Sequence, residues 1–583
     1  MKIIICTTPI RPVPTEYPPF GSLAVIQALQ RAGYDPIFLD IDGLRPSLAE
    51  VIERFRIEAP NLIGISAVVS TAYGFVKQLC ASIKQVLPES KIVLGGNLAA
   101  SAELLHRFCQ VDVCVVGEGE KIIVNLANYY KRNPGKGNET ELRQIKGLTY
   151  LGADGQLVFT GYESAVPGNE FLDPDFSILE QYSNIHNFVT EPFLRGDFSQ
   201  DPRSRQPHRA GKKASTVVFT KGCVARCTFC HRWDKGFRQI PPEKVIGRIR
   251  YLMKRYNVGF IQFGDENFGS DRKATLKLIN LIKPLDILWQ VAGVRACTLD
   301  LDLLRAMYNA GCVALYYGFE SGSPDILQVM EKKLELEHNL NAARWTHEAN
   351  LFTNYQLVLG MPGETHGTIG ETIEMLKQIT EFLPEPPPKR LSINYIQALP
   401  GTPVYEYARV KGLIGSKLED EDVYLLSISD IEAGDDTKFL NFSEYPYLTV
   451  QTWRPRILYE TTVHWYRVNG KRGIPPAHAC STAALSYERG GYFNLHDLGQ
   501  DHRLLQAMFP VRWLFIWIWT LMTVLRRSPQ RAFMSHIWEL VICHFKPTSV
   551  SRDYRTLRHI MRDIAIEPQT QSEKSMMPLR LGR

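Results

Sequence analysis

Between residues 2 and 131, and again between 215 and 380, short apolar segments of strand length alternate with amphipathic segments of helix length. That alternation restricts the chain to α/β architectures. In the first run, strands are expected at KIIIC (2–6), DPIFLD (35–40), LIGISAV (62–68), KIVLGG (91–96) and VDVCVVG (111–117). Helices are expected near 21–32, 47–58, 73–87, 99–108 and 119–131. Near-continuous apolar strands separated by helices predict an open parallel sheet covered on both faces, whose ligands bind beyond the carboxyl ends of the strands. At those ends stand Pro18, Pro19 and Gly21, then Asp42 and Gly43, Ser66 and Ser70, Gly95 and Gly96, and Gly117 with Gly119. Any one glycine pair reads as a turn. The whole set reads as a cofactor site, where glycine admits a flat ligand or a phosphate and serine hydroxyls donate to its polar edge.

In the second run the strands are STVVFT (215–220), VGFIQFGD (258–265), DILWQVAG (286–293), CVALYYGF (312–319), TNYQLVLG (353–360) and RLSINYIQ (390–397). Helices near 242–256, 271–282, 299–309, 323–330, 335–349 and 368–380 separate them. Such repeated units suit an open or closed barrel that gathers catalytic groups at its strand ends. The 583 residues, 45% of them hydrophobic, can bury several cores. The expected domains are 1–140, a linker with partial cover over 141–210, a barrel over 211–405, and a mainly helical cap or substrate-shaping region over 406–583.

Directly after the barrel's first strand comes KGCVARCTFCHRW (221–233), with Cys223, Cys227 and Cys230 in a C-x3-C-x2-C loop. A zinc site usually takes four ligands from separated Cys or His pairs; there is no second pair nearby, and His231 adjoins Cys230 too closely to ligate comfortably beside it. Three thiolates on a cubane iron–sulfur cluster leave one iron open for a substrate or cofactor. His231 and Trp233 read as loop or supporting residues. The other eight of the eleven cysteines are isolated and read as small buried hydrophobes. Sparse cysteines, and an amino terminus without a signal peptide's long apolar core, point to a reducing cytoplasm.

CVARCTFC (223–230) resembles the signature of the radical S-adenosylmethionine superfamily. The resemblance implies a [4Fe-4S] cluster on Cys223, Cys227 and Cys230, S-adenosylmethionine on the fourth iron, and a 5′-deoxyadenosyl radical from its reductive cleavage. It puts Phe229 beside the adenine. QFGDENF (262–268) resembles the second-strand motif, where Asp265 or Glu266 would receive the methionyl amine; a solvated acidic turn is the alternative. Arg295, after the third strand, would pair with a carboxylate or project to solvent. YGFESGS (317–323) resembles the fourth-strand segment, with Glu320 on ribose hydroxyls or another polar cofactor group and Gly318 admitting the backbone. LVLGMPGET (358–366) and ALPGTPVY (398–405) look like late-strand motifs of the cobalamin-binding branch.

PPFGSLAVIQAL (18–29), SAVVSTAY (66–73), VLGG (93–96) and VVGEGE (115–120) resemble that branch's cobalamin domain, so the likeness runs over roughly residues 1–405. It implies a Rossmann-like cobalamin domain, a partial (β/α)6 TIM barrel and a mainly helical carboxy-terminal region. DIDGLRPS (40–47) departs from the D-x-H-x-x-G signature, which puts a protein ligand to cobalt in doubt. The activity implied is a cobalamin-dependent radical methyltransferase acting on an unactivated carbon of a secondary metabolite, lipid or tetrapyrrole. The alternatives are a radical cyclase or oxidase, such as the oxygen-independent magnesium-protoporphyrin monomethyl ester cyclase, another radical conversion, and a non-enzymatic cobalamin- or redox-sensing binding protein.

The implied partners are an organic substrate, large or hydrophobic, and an electron donor such as flavodoxin or ferredoxin. A net charge of +6 from scattered residues, without a basic block interleaved with aromatics, gives no reason to expect nucleic acid. VRWLFIWIWTLMTVL (511–525) is shorter than the ~20 residues of a spanning helix. It reads as a buried helix or dimer contact, as an interfacial helix giving peripheral membrane contact, or least readily as a span.

Overall fold

The computed structural model describes residues 1–135, 137–194, 198–231, 236–384, 387, 390–428, 439–469 and 511–527. Its first sheet contains β1 (Ile3–Thr7), β2 (Ile37–Leu39), β3 (Leu62–Ser66), β4 (Lys91–Gly95), β5 (Val113–Val115), β6 (Leu148–Leu151) and β7 (Leu157–Phe159). The order is β2-β1-β3-β4-β5-β6-β7, with β1 to β5 parallel. Alternate residues dress its two faces. Ile3, Ile5 and Val93 pack with Leu23, Ile26 and Leu126, whereas Ile4, Cys6 and Ile65 pack with Phe55, Val76 and Leu105. The order reverses between β1 and β3, which puts the ligand crevice there. Thr8 Oγ1 donates to the Ser66 carbonyl at 3.0 Å across that point.

The linker expected over 141–210 needs correction. Residues 148–159 form the antiparallel β6–β7 hairpin, and β6 pairs with β5. An unpaired β5 would expose its backbone donors and acceptors, and the hairpin occupies that edge. Its turn, ADGQ, contains the Asp154-Gly155 pair that marks hairpins, with Gly155 at φ 73°.

The second sheet joins β8 (Lys213–Val217), β11 (Val258–Phe263), β12 (Leu288–Val294), β13 (Cys312–Glu320), β14 (Phe352–Leu359) and β15 (Leu391–Tyr395). The strands are parallel and stand in chain order, with β8 and β15 at the edges: an open (β/α)6 barrel. Asp271, Asp300 and Thr365 cap the helices that follow β11, β12 and β14. Outward residues such as Ile261, Trp289, Leu315 and Tyr355 are buried in the core shared with those helices. Ala214, Phe260, Leu288 and Ala314, with Phe198 and Phe352, close the amino-terminal end of the barrel.

The strand expected to run to residue 220 ends at Val217. Thr220–Lys221 (β9) and Arg238–Gln239 (β10) instead form a short antiparallel pair at the base of the cysteine loop.

Beyond residue 405 the described elements are helices, including Leu418–Ser427, Trp453–Asn469 and Arg512–Arg527. In the last, Ile516 and Thr520 are buried and Trp517 and Leu521 pack on Leu448, while Trp513, Leu514 and Ile518 are exposed. No helix among the described residues is long and apolar enough to cross a membrane. Trp233 and most of the region expected as a cap lie outside the described residues.

Candidate active site

Two contacts bring the carboxyl edges of the sheets face to face. From the loop after β1, Tyr17 Oη accepts a hydrogen bond from Gln262 Nε2 of β11 at 2.8 Å. After β5, the Glu118 carboxylate lies 2.7 Å from both Lys221 Nζ and Arg238 Nη1, and accepts from the Val166 N–H at 2.6 Å. Burial raises the Glu118 carboxyl's proton affinity, but these partners outweigh it and hold the group below its ordinary value. Lys221 and Arg238 flank the cysteine loop, so Glu118 ties the rim of the first sheet to its base. In VVGEGE the sequence points to the glycines, and the role of Glu118 shows only in the fold.

Within the loop Cys227 is buried, Cys223 half-buried and Cys230 exposed. Thr228 anchors it: its N–H donates to the Met330 carbonyl and its Oγ1 to the Val329 carbonyl, each at 3.0 Å, and its own carbonyl accepts from Val404 N–H. Burial raises the Cys227 thiol, while the nearby Lys332 and Arg295 charges pull it down. The three thiols lie within electrostatic reach of one another. Among the described residues no three His, Cys, Asp or Glu side chains converge on a single ion. A cubane makes no such demand, because its three thiolates bind three different irons. Three clustered thiols beside two cations are a donor set that fits an anionic cluster.

Asp265 does not reach out from its strand end. Its Oδ1 accepts from Phe219 N–H at 2.9 Å, from Thr220 Oγ1 at 2.7 Å and from Thr220 N–H, and its Oδ2 is buried without a partner among the described residues. It is a staple between β11 and the strand that enters the cysteine loop. Glu266 is exposed at the same strand end and lies close enough to influence Cys230.

Arg295 is also turned inward, with Nη2 donating to the Lys332 carbonyl at 2.6 Å. Glu320 has the left-handed φ of 63°, unusual for a residue other than glycine, and its Oε1 meets Lys332 Nζ at 2.6 Å. Both partners are buried. A Cβ on Gly318 would run into that carboxylate. Lys332 Nζ also lies 6.0 Å from the Phe229 ring centroid. Sequence reasoning missed Lys332, which sits in EKKLELE among charges that read as solvated surface.

On the opposing edge, Ser70 Oγ is buried without a hydrogen-bond partner among the described residues, as are Ser22 Oγ and Ser101 Oγ. Gly117, at φ 97°, and Gly21 face open space. Unspent hydroxyls beside open glycine backbone suit a large polar ligand such as cobalamin. Pro19 begins the helix Phe20–Arg31, Ser66 and Gly95 end β3 and β4, and Gly119 starts the helix Gly119–Arg132, all along this edge.

Other expected contacts are consumed by the chain itself. Asp42 accepts from the N–H groups of Ile10 and Thr15 and pairs with Arg45 at 2.7 Å. A Cβ on Gly43 would strike the Asp40 carboxylate, and one on Gly96, at φ 96°, the Ala67 carbonyl. These three shape the edge by packing.

The Asp265 staple gives a pH test. Burial raises its carboxyl from 3.8 to about 7 against the hydrogen bonds from Thr220 and Phe219. The folded state therefore keeps a proton that the unfolded chain releases, and stability falls as pH rises between these two values. Asp265→Asn keeps the acceptor and flattens that part of the denaturation profile. Asp265→Ala leaves three buried donors unpaired, at about 1–3 kcal/mol each, and lowers the iron bound per chain after reconstitution.

Residues 217–376 match the Radical SAM superfamily and residues 7–127 the B12 binding domain. The chain is 28% identical over 370 residues to the anaerobic magnesium-protoporphyrin IX monomethyl ester cyclase of Cereibacter sphaeroides, covering 62% of this chain and 56% of that one. It is 27% identical over 436 residues to an uncharacterized methyltransferase of Pyrococcus horikoshii, covering 71% and 84%. Its fold is like that of the radical S-adenosylmethionine methyltransferase TsrM from Kitasatospora setae, solved with cobalamin and a [4Fe-4S] cluster bound. The TM-score is 0.53 at 17% identity, with 71% of this chain and 76% of that one covered.

Proposed function

We propose that this chain, a member of the cobalamin-binding radical S-adenosylmethionine family, moves a methyl group onto an unactivated carbon of an organic substrate held between its two facing sheet edges. The observation that carries the reading is the meeting of those edges through Tyr17–Gln262 and Glu118–Lys221, which leaves the barrel mouth opposite the cobalamin edge. The cofactors are a [4Fe-4S] cluster, S-adenosylmethionine and cobalamin. When bound, the cluster supplies the electron that cleaves S-adenosylmethionine to a 5′-deoxyadenosyl radical, and cobalamin serves as methyl carrier.

The protein's part is holding and positioning. Cys223, Cys227 and Cys230 would hold the cluster, with three thiolates leaving it able to take S-adenosylmethionine. Glu266 would receive the methionyl amine, the Glu320–Lys332 pair and Phe229 would line the nucleoside side, and Ser70, Gly21 and Gly117 would receive cobalamin. Asp265 and Thr228 keep the cysteine loop in place. A flavodoxin- or ferredoxin-like protein delivers the electron.

The cyclase relative supports a second reading, radical ring closure or oxidation. Product mass separates the two. With methyl-labelled S-adenosylmethionine under anaerobic, reducing conditions, methyl transfer adds one labelled CH2 equivalent to the substrate. A product that has lost hydrogen or gained oxygen without label would replace this reading by the second.

A further inference from the structure

We propose that the barrel lumen is built for a neutral, hydrogen-bonding substrate, one rich in amide, hydroxyl or carbonyl groups, which a belt of accessible uncharged side chains, Gln262, Tyr316, Asn354 and Gln356, recognises, with the buried Thr216 and Gln290 beside them. The inference deepens the enzymatic reading above and rests on it.

The lumen is visible in the burial pattern. Along β14, Thr353, Tyr355 and Leu357 are buried while Asn354 is half-buried and Gln356 exposed; along β15, Leu391, Ile393 and Tyr395 are buried while Ser392 and Asn394 are half-buried. The buried set belongs to the core shared with the outer helices. The more accessible set, in mid-strand, therefore faces the barrel interior; on the neighbouring strands Gln262 and Tyr316 are half-buried, while Thr216 and Gln290 are buried.

Strand register steps the belt along the barrel: Gln290 stands beside Ala314, two residues before Tyr316, and Gln356 beside Gly318, two residues after Asn354. Thr216 stands beside Gln262 and Gln262 beside Gln290, and Tyr316 stands beside Asn354. Below it lies the apolar floor of Phe260, Leu288 and Phe352. Tyr316 Oη donates to Gln290 Oε1 at 3.5 Å, Gln262 Nε2 donates to Tyr17 Oη, and Asn354 Oδ1 is buried with no partner among the described residues. Tyr17 comes from the cobalamin-side loop, so it links the belt to the opposite edge of the site.

The chemistry of the belt selects against two classes of occupant. A hydrocarbon would strip water from amides and hydroxyls and return no hydrogen bond. A full charge would meet no opposite charge on the described belt side chains, and Glu320, at the end of β13, is already paired with Lys332. A neutral amide, alcohol or ketone replaces the water on the belt while its carbon skeleton rests on the floor.

The test uses the reconstituted holoenzyme and an extract of cells that carry this chain. The extract is divided into anion-exchange-retained, cation-exchange-retained, neutral aqueous and hexane-soluble fractions. Reductant-dependent 5′-deoxyadenosine formation is followed with each. The neutral aqueous fraction should give the stimulation, and with its active compound Gln262→Glu or Gln356→Glu should raise KM by about tenfold or more while the cluster's EPR signature is kept. Stimulation confined to a retained or hexane fraction, or a KM unmoved by both substitutions, overturns the inference. Absence of deoxyadenosine from every arm of a cluster-loaded protein would instead remove the enzymatic reading on which it rests.

Discussion

Cys227→Ala reduces reductant-dependent 5′-deoxyadenosine formation to background while the protein remains folded. Loop geometry separates the two effects. Cys227 is buried, but the loop is held by the neighbouring Thr228, through its bonds to Met330, Val329 and Val404, and by Asp265 at its entry. None of those contacts uses the thiol. The substitution therefore removes the proposed cluster ligand without releasing the loop, and the loss should exceed the roughly 10–100-fold typical of changes to residues that only support a metal ligand. Corrin absorbance after reconstitution should be kept, because Ser70, Gly21 and Gly117 stand on the other sheet. Deoxyadenosine at the wild-type rate from this variant would refute the cluster assignment.

The alternating architecture was legible because hydrophobic period reports which faces of a strand or helix are buried. The helix expected over 242–256 occurs as Pro242–Tyr256, and the strand at 258 begins at Val258. Periodicity failed where pairing alone decides the outcome. The β6–β7 hairpin has strands of only 4 and 3 residues, too short to show a period, and its sequence signal is the Asp154-Gly155 turn. At the site, the sequence could identify which residue types stand at strand ends but not where their side chains point. Asp265 and Arg295 stand where a cofactor contact was expected, yet each is turned onto the backbone of a neighbouring loop. Lys332 and Glu118 were hidden for the opposite reason, since partners 12 and over 100 residues away bury charges that locally look solvated.

The Glu320–Lys332 pair carries the second large effect, and its two halves should fail unequally. Lys332→Met leaves a carboxylate buried without its counter-charge, a change that costs about 3–5 kcal/mol and should appear as a lowered denaturation midpoint. Glu320→Gln leaves the ammonium, but Lys332 still faces Cys227, whose thiolate form in a loaded cluster supplies negative charge; this variant should be the milder in reconstituted protein. The double variant Glu320→Gln with Lys332→Met removes both charges and should recover most of the lost stability, because no buried charge is stranded. A purely structural pair would then be dispensable. If instead the pair lines the nucleoside side of the site, the double variant regains its midpoint yet keeps a KM for S-adenosylmethionine raised by about tenfold, the equivalent of one lost charge-assisted hydrogen bond. Recovery of stability and KM together would assign the pair to the fold alone. The left-handed φ of Glu320 argues for the raised KM, since a chain that needed only an ion pair could have placed its carboxylate without that backbone cost.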